Sequence, residues 1–165
     1  MLDRYSPAAL RRLFRLWPPF VGAGIRVTEI SADWHYARVE LRLGRFNRNF
    51  VGTHFGGSLY AMTDPFYMIM LIQVLGRDYV VWDQSGEIEY LRPGRTDVVA
   101  ELRLDPHRVQ RIREEAADGS KLLPEFLVDV TAPSGEVVAR VRKKIYVRLR
   151  KERRPPPAPA PAPAD

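Results

Sequence analysis

The sequence predicts an α+β fold in which an antiparallel sheet wraps around one long central helix. Three observations lead there. Residues 66–75 (Phe66, Tyr67, Met68, Ile69, Met70, Leu71, Ile72, Val74, Leu75) are apolar on nearly every helical face, and a helix apolar all round must be buried. Several segments on either side alternate apolar and polar residues with the period of two that marks half-buried strands. A helix without a wet face cannot lie on the outside of such a sheet, so the sheet has to enclose it.

The elements follow in order. Ser6-Pro7 opens a first helix, serine as cap and proline at the first helical position, with Leu10, Leu13, Phe14 and Trp17 recurring at i, i+3, i+4, i+7. Pro18-Pro19 is expected to end it. Residues 25–30 and 34–43 read as a hairpin, Ala37, Val39, Leu41 and Leu43 alternating with Tyr36, Arg38, Glu40 and Arg42. The helix over residues 58–75 follows. Residues 79–91 resume alternation, with Asp83, Ser85, Glu87 and Glu89 on one parity and Val80, Trp82, Ile88 and Tyr90 on the other. Asp83 and Glu87 can line a polar pocket or face solvent, and solvent or an interface is the expected placement. Another strand carries Val98, Ala100, Leu102 and Leu104, and residues 106–118 form a charged helix ending at Gly119. Residues 126–131 and 136–150 are the last strands, joined by Pro133-Ser134-Gly135.

One folded domain is expected over residues 1–150. Residues 151–165, basic and then rich in Pro and Ala, are expected to form a disordered tail. The formal net charge of +6 is concentrated in Arg140, Arg142, Lys143, Lys144, Arg148, Arg150, Lys151, Arg153 and Arg154; without them the domain is close to neutral. Aromatic residues do not interleave with this basic run, so no nucleic-acid partner is expected. The absence of cysteine excludes disulfides, thiolate metal sites and cysteine nucleophiles, and fits the cytoplasm. His35, His54 and His107 lack the spacing of a zinc site, so no metal is expected. The longest uninterrupted apolar run, residues 65–72, is far short of the ~20 residues of a membrane span.

The chemistry concentrates in Asn47-Arg48-Asn49-Phe50-Val51-Gly52-Thr53-His54-Phe55-Gly56-Gly57-Ser58, directly ahead of the apolar helix, and in Asp64 within it. Paired glycines let the backbone approach a ligand closely, and the free N–H groups of a helix start favour an oxyanion or carbonyl oxygen.

These residues, with Thr63-Asp64, Tyr90-Leu91-Arg92-Pro93-Gly94 and the basic last strand, resemble the hotdog-fold acyl-CoA thioesterase superfamily, and around the central helix its phenylacetyl-CoA thioesterase subfamily. The resemblance covers roughly residues 5–150. It implies a hydrolase of acyl-CoA or acyl-carrier thioesters, with the thioester as substrate and no cofactor. In that subfamily a catalytic aspartate stands seven residues after the second glycine, as Asp64 stands after Gly57; the upstream asparagine corresponds to Asn47 or Asn49. The histidine here lies one place earlier, with Phe55 directly before the glycines.

The site implied has Asp64 as general base or nucleophile and the Gly57 N–H as oxyanion donor, with His54, Asn49 and Ser58 in support. Phe55, Gly56, Arg92 and Arg95 lie against substrate, the arginines on coenzyme A phosphates. Other readings stand beside these. Asp64 can cap a shorter helix begun by Pro65; His54 can be a loop residue; Asn47 and Asn49 can serve a turn; Ser58 can cap; Arg92 and Arg95 can end a solvated strand. Bulky Phe55, Tyr60, Phe66 and Tyr67 suggest an apolar tunnel. Seven residues of helix separate Gly57 from Asp64 by about 10 Å, too far for both to reach one carbonyl. A two-fold dimer or a dimer of dimers, each site drawing on two chains, is therefore expected. The competing reading is a non-catalytic acyl-CoA or acyl-lipid binding module of the same fold.

Overall fold

The computed structural model describes residues 5–154, and the Pro/Ala part of the expected tail lies outside the described residues. Ser6 caps α1 (Pro7–Phe14) by accepting the Ala9 N–H. Pro18-Pro19 do more than end this helix: they open a second one, α2 (Pro18–Ala23), because the first turn of a helix has no use for the missing N–H groups. The strands are β1 (Ile25–Ile30), β2 (Tyr36–Leu41), β3 (Tyr79–Tyr90), β4 (Val98–Arg103), β5 (Glu125–Thr131) and β6 (Val137–Leu149). They form one antiparallel sheet in the order β1-β2-β4-β5-β6-β3. The expected strand start at Trp34 moves to Tyr36, since Trp34 takes a left-handed turn (φ 63°) whose N–H groups bond Ser31 and Asp33.

The central helix is enclosed as expected, and it is broken. Gly56–Ala61 (α3) and Phe66–Leu75 (α4) are separated by a turn that contains Asp64-Pro65, where proline disfavours helix in the residue before it. The whole stretch Gly56–Leu75 has the length and composition of a membrane span, yet it lies mostly buried inside the sheet. Its cover is the inward rows of β2, β4, β5 and β6: Ala37, Val39, Leu41; Val98, Ala100, Leu102; Phe126, Val128, Val130; and Ala139, Val141, Ile145, Val147. Phe66 and Tyr67 are core residues, not tunnel walls. Phe66 packs on Phe14 and Phe20, and Tyr67 stacks on Phe126 and donates its hydroxyl to the Leu127 carbonyl. The helix α5 (Pro106–Glu115), capped by Asp105, covers the far end. Lys151–Arg153 form a short 3-10 turn, and Arg154 donates to the Leu149 carbonyl.

The outer face of β6 is neutralised along its length. Arg140 pairs with Asp129, Arg142 with Glu125 and Glu87, and Lys144 with Glu125. Trp82 lies on this outer face, stacked on Tyr146 at 4.3 Å, and not with the inward residues of its strand. The reason is a register shift in β3 between Asp83 and Ser85, a bulge that exchanges the two faces of the strand. Before it the odd residues point in; after it Gly86, Ile88 and Tyr90 do, pairing with Lys143, Val141 and Ala139. Asp83 is thereby turned inward, against the expectation that it faces solvent or an interface; Glu87 stays out, its side chain 80% exposed.

Phe66→Ala is expected to cost about 3–5 kcal/mol in urea unfolding, the usual range for deleting a fully buried phenylalanine.

Candidate active site

The loop ahead of α3 is held by its own polar side chains. Asn47 accepts from the Gly44 N–H and donates to the Ala23 and Arg42 carbonyls. Asn49 accepts from Val51 and Thr53 N–H and donates to Thr53 Oγ1 and the His54 carbonyl. Every polar atom of both amides is engaged in shaping the turn, the work asparagine commonly does in loops.

His54 is 3% exposed. Its backbone N–H donates to the Gly94 carbonyl and its ring Nε2 lies 2.8 Å from the Thr96 carbonyl, so Nε2 carries the proton and Nδ1 is buried without a partner among the described residues. Burial pushes the imidazole below its usual range, opposed by the Thr96 carbonyl and the Asp97 charge. The ring is packed against the loop after β3, with Gly94 directly over it.

That anchoring delivers Gly56-Gly57 to the start of α3, an end that no side chain caps. A Cβ on Gly56 would fall 2.7 Å from the Tyr90 hydroxyl and one on Gly57 2.5 Å from the Phe55 ring, so a side chain at either position would displace that exposed aromatic. Gly57 is exposed, Phe55 is 58% exposed, and Ser58 is buried behind them. Ser58 and Phe55 line a cleft of about 440 Å³ with Phe46, Asn47, Asn49 and Phe50.

Asp64 does not cap α4; the capping position is Pro65, with no side-chain bond. Its carboxylate instead meets Lys143, Oδ1 lying 2.6 Å from Nζ. Lys143 stands on the inward row of β6 and its side chain is 1% exposed, whereas that of Asp64 is 47% exposed. Asp83 Oδ1 lies 2.9 Å from the same ammonium, an ion pair without hydrogen-bond geometry. The Tyr60 hydroxyl accepts from Nζ at 3.3 Å, and the Tyr60 ring lies 5.2 Å from it. Tyr60 in turn crosses so close to Gly86 that a side chain at that position would displace the Tyr60 hydroxyl. Burial raises Asp83 above the usual carboxylate range, against the pull of Lys143; Lys143 is raised in spite of burial, by its two carboxylate partners.

The structure thus brings Tyr60, Asp64 and Asp83 together around Lys143, with Tyr60 crossing Gly86 and Gly56 lying against Tyr90, while Gly57 stands at the helix start beside Phe55. Arg92 is engaged elsewhere, 2.9 Å from Glu136, and Arg95 is exposed. Lys143 is the residue that sequence reasoning missed, although the signal was present: it interrupts the inward series Ala139, Val141, Ile145, Val147 at its midpoint. Asp83 was hidden by the bulge.

Residues 7–147 match the domain of unknown function DUF4442. The chain belongs to the DUF4442 family. No curated protein matches it by sequence. Among solved structures, the DUF4442 chain is similar to PA5026 of Pseudomonas aeruginosa, of unknown function and named a probable thioesterase, at 23% identity over 87% of this chain and 97% of that one, with a TM-score of 0.74. It is similar to the thioesterase HI1161 of Haemophilus influenzae at 13% identity, covering 88% and 92% of the two chains, TM-score 0.63. The E. coli PaaI protein, from the phenylacetic acid degradation operon, is 15% identical over 85% and 90%, TM-score 0.59. At these identities the shared property is the fold, and the DUF4442 chain has the hotdog fold.

Two predictions concern the groups that build this site. The folded imidazole of His54 is depressed below the unfolded value of 6.5, so the stability it contributes is present above pH 6.5 and is lost as pH falls from there through the folded pKa. His54→Gln, which retains a donor for Thr96, is expected to flatten that part of the melting-temperature profile between pH 7.5 and 5.5. Lys143→Met is expected to cost about 2 kcal/mol, less than for a fully buried pair because Asp64 is half in water. Adding Asp64→Asn and Asp83→Asn is expected to recover most of that loss in the same urea titration.

Proposed function

We propose that this protein hydrolyses acyl thioesters, carried on coenzyme A or on protein-bound pantetheine, at a site shared between the two chains of a dimer. The observation that carries the reading is a half-exposed carboxylate, Asp64, in the turn that follows an uncapped, glycine-led helix. The thioesterase names of PA5026 and HI1161, proteins of the same fold, support it.

In this mechanism the thioester carbonyl oxygen accepts the Gly57 N–H, where the helix start stabilises the developing oxyanion. Asp64 of the other chain draws a proton from water as general base, or attacks the carbonyl itself. With water as nucleophile, oxygen bonds to the carbonyl carbon, the carbon–sulfur bond breaks, and the products are the carboxylate and the free thiol. No cofactor takes part. Phe46 and Phe50 are fully exposed beside the helix start, with Val51 74% and Phe55 58% exposed, an apolar patch of the kind that partners or ligands cover. The twelve-residue strand β3 also ends the sheet with an open edge. Both features support a second copy of the chain lying across this face. Arg95 is available to a phosphate, and the cysteine-free sequence suits a cytoplasmic setting.

One observation favours the alternative of a binding module without turnover: the Asp64–Lys143 bond, which a purely structural carboxylate would also make. Thiol release from a panel of acyl-CoA esters separates the two. Asp64→Asn is expected to lower kcat by about 10²–10³ with little change in KM; binding without turnover in the wild type supports the module, and equal turnover in both proteins removes Asp64 from the chemistry. Sedimentation equilibrium is expected to show dimer or tetramer at micromolar concentration, and monomer alone would sink the shared site.

A further inference from the structure

We propose that Lys143 is a positioning residue that aims the Asp64 carboxylate, with Asp83 as the anchor that seats it. This rests on the hydrolase reading of Asp64. Lys143 occupies a place where an apolar side chain would complete the row Ala139, Val141, Ile145, Val147, and replacing a buried ion pair by packed apolar residues is often neutral or stabilising. Stability alone therefore gives no reason for a lysine.

Geometry gives one. Asp64 lies in the turn between α3 and α4, where the helix does not hold its side chain. The bond from Nζ at 2.6 Å secures Oδ1, and no described residue bonds Oδ2, so one oxygen is held and the other is left for water or substrate. The ammonium is itself held from three directions: by Asp64, by Asp83 at 2.9 Å and by the Tyr60 hydroxyl at 3.3 Å. Asp83 reaches it only because the β3 bulge turns the carboxylate inward. Lys143 is 1% exposed; it does not touch substrate and acts through Asp64.

The test compares wild type, Lys143→Met, Lys143→Arg and Asp83→Asn in thiol release from acyl-CoA esters, with a crystal structure of Lys143→Met. Lys143→Met is expected to lower kcat about tenfold to a hundredfold, the scale of a misaimed catalytic group, with KM within about twofold; Lys143→Arg is expected to restore part of kcat. Wild-type kcat in a folded Lys143→Met protein overturns the proposal. If Lys143→Met does not fold, Asp83→Asn is read in its place: a severalfold fall in kcat at unchanged KM supports the anchor, and wild-type kcat overturns it. Absence of turnover in the wild type defeats the hydrolase reading, and the positioning claim is then judged on structure alone. An Asp64 carboxylate that leaves its present orientation in Lys143→Met supports it, and one that stays in place overturns it.

Discussion

Everything in this molecule depends on enclosing α4, a helix with no polar face. Burying it requires apolar cover on most sides, and a single six-stranded sheet supplies that cover only by curving round it, with α1, α2 and α5 closing what remains. The inward rows of β2, β4, β5 and β6 are accordingly almost unbroken series of Ala, Val, Leu and Ile. The hydrophobic effect drives this arrangement without specifying any site.

The site arises where enclosure ends. Upstream of α4 the chain leaves the apolar interior, breaks helix at Asp64-Pro65, and continues as the short glycine-led α3. Polar groups can exist there because the cover is incomplete on the β3 side: Gly86 has no side chain, and the bulge replaces an apolar inward residue with Asp83. One buried cation then reconciles two carboxylates with the edge of a hydrophobic core. An unpaired Asp83 or Lys143 at those positions would carry the full cost of a desolvated charge, so the three residues make physical sense only together.

Much of the candidate site was legible as spacing. A glycine helix start followed seven residues later by a carboxylate is a short-range pattern that can be read in one dimension; that α3 ends at Ala61 and leaves Asp64 in a turn is not. The roles of neighbouring residues were less legible, because adjacent positions in a loop diverge in direction. His54, Asn47 and Asn49 look equivalent to Gly57 in the sequence; the structure ties His54 to Thr96 and Gly94 and Asn47 to Ala23, all distant in the chain, while the Asn49 side chain bonds within its own loop to Val51, Thr53 and His54. Phe66 and Tyr67, aromatic residues that directly follow Asp64-Pro65 in the sequence, belong to the core for the same reason that α4 is buried.

By itself the sequence determined the strands, the buried helix and the wrapped architecture, because periodicity is a local property that survives in one dimension. It also placed Asp64 close behind the Gly57 helix start, a short-range relation along the chain, while the break at Asp64-Pro65 takes the aspartate out of α3. Only the tertiary structure decided what surrounds Asp64. Lys143 is 79 residues away in the chain, its position on the inward face of β6 acquires meaning only when the sheet closes over α3, and Asp83 joins it through a one-residue bulge that reverses the parity on which its sequence reading relied. Pairing across a sheet and against a helix is a relation between distant segments, and burial of a charge is settled by what those segments bring to it.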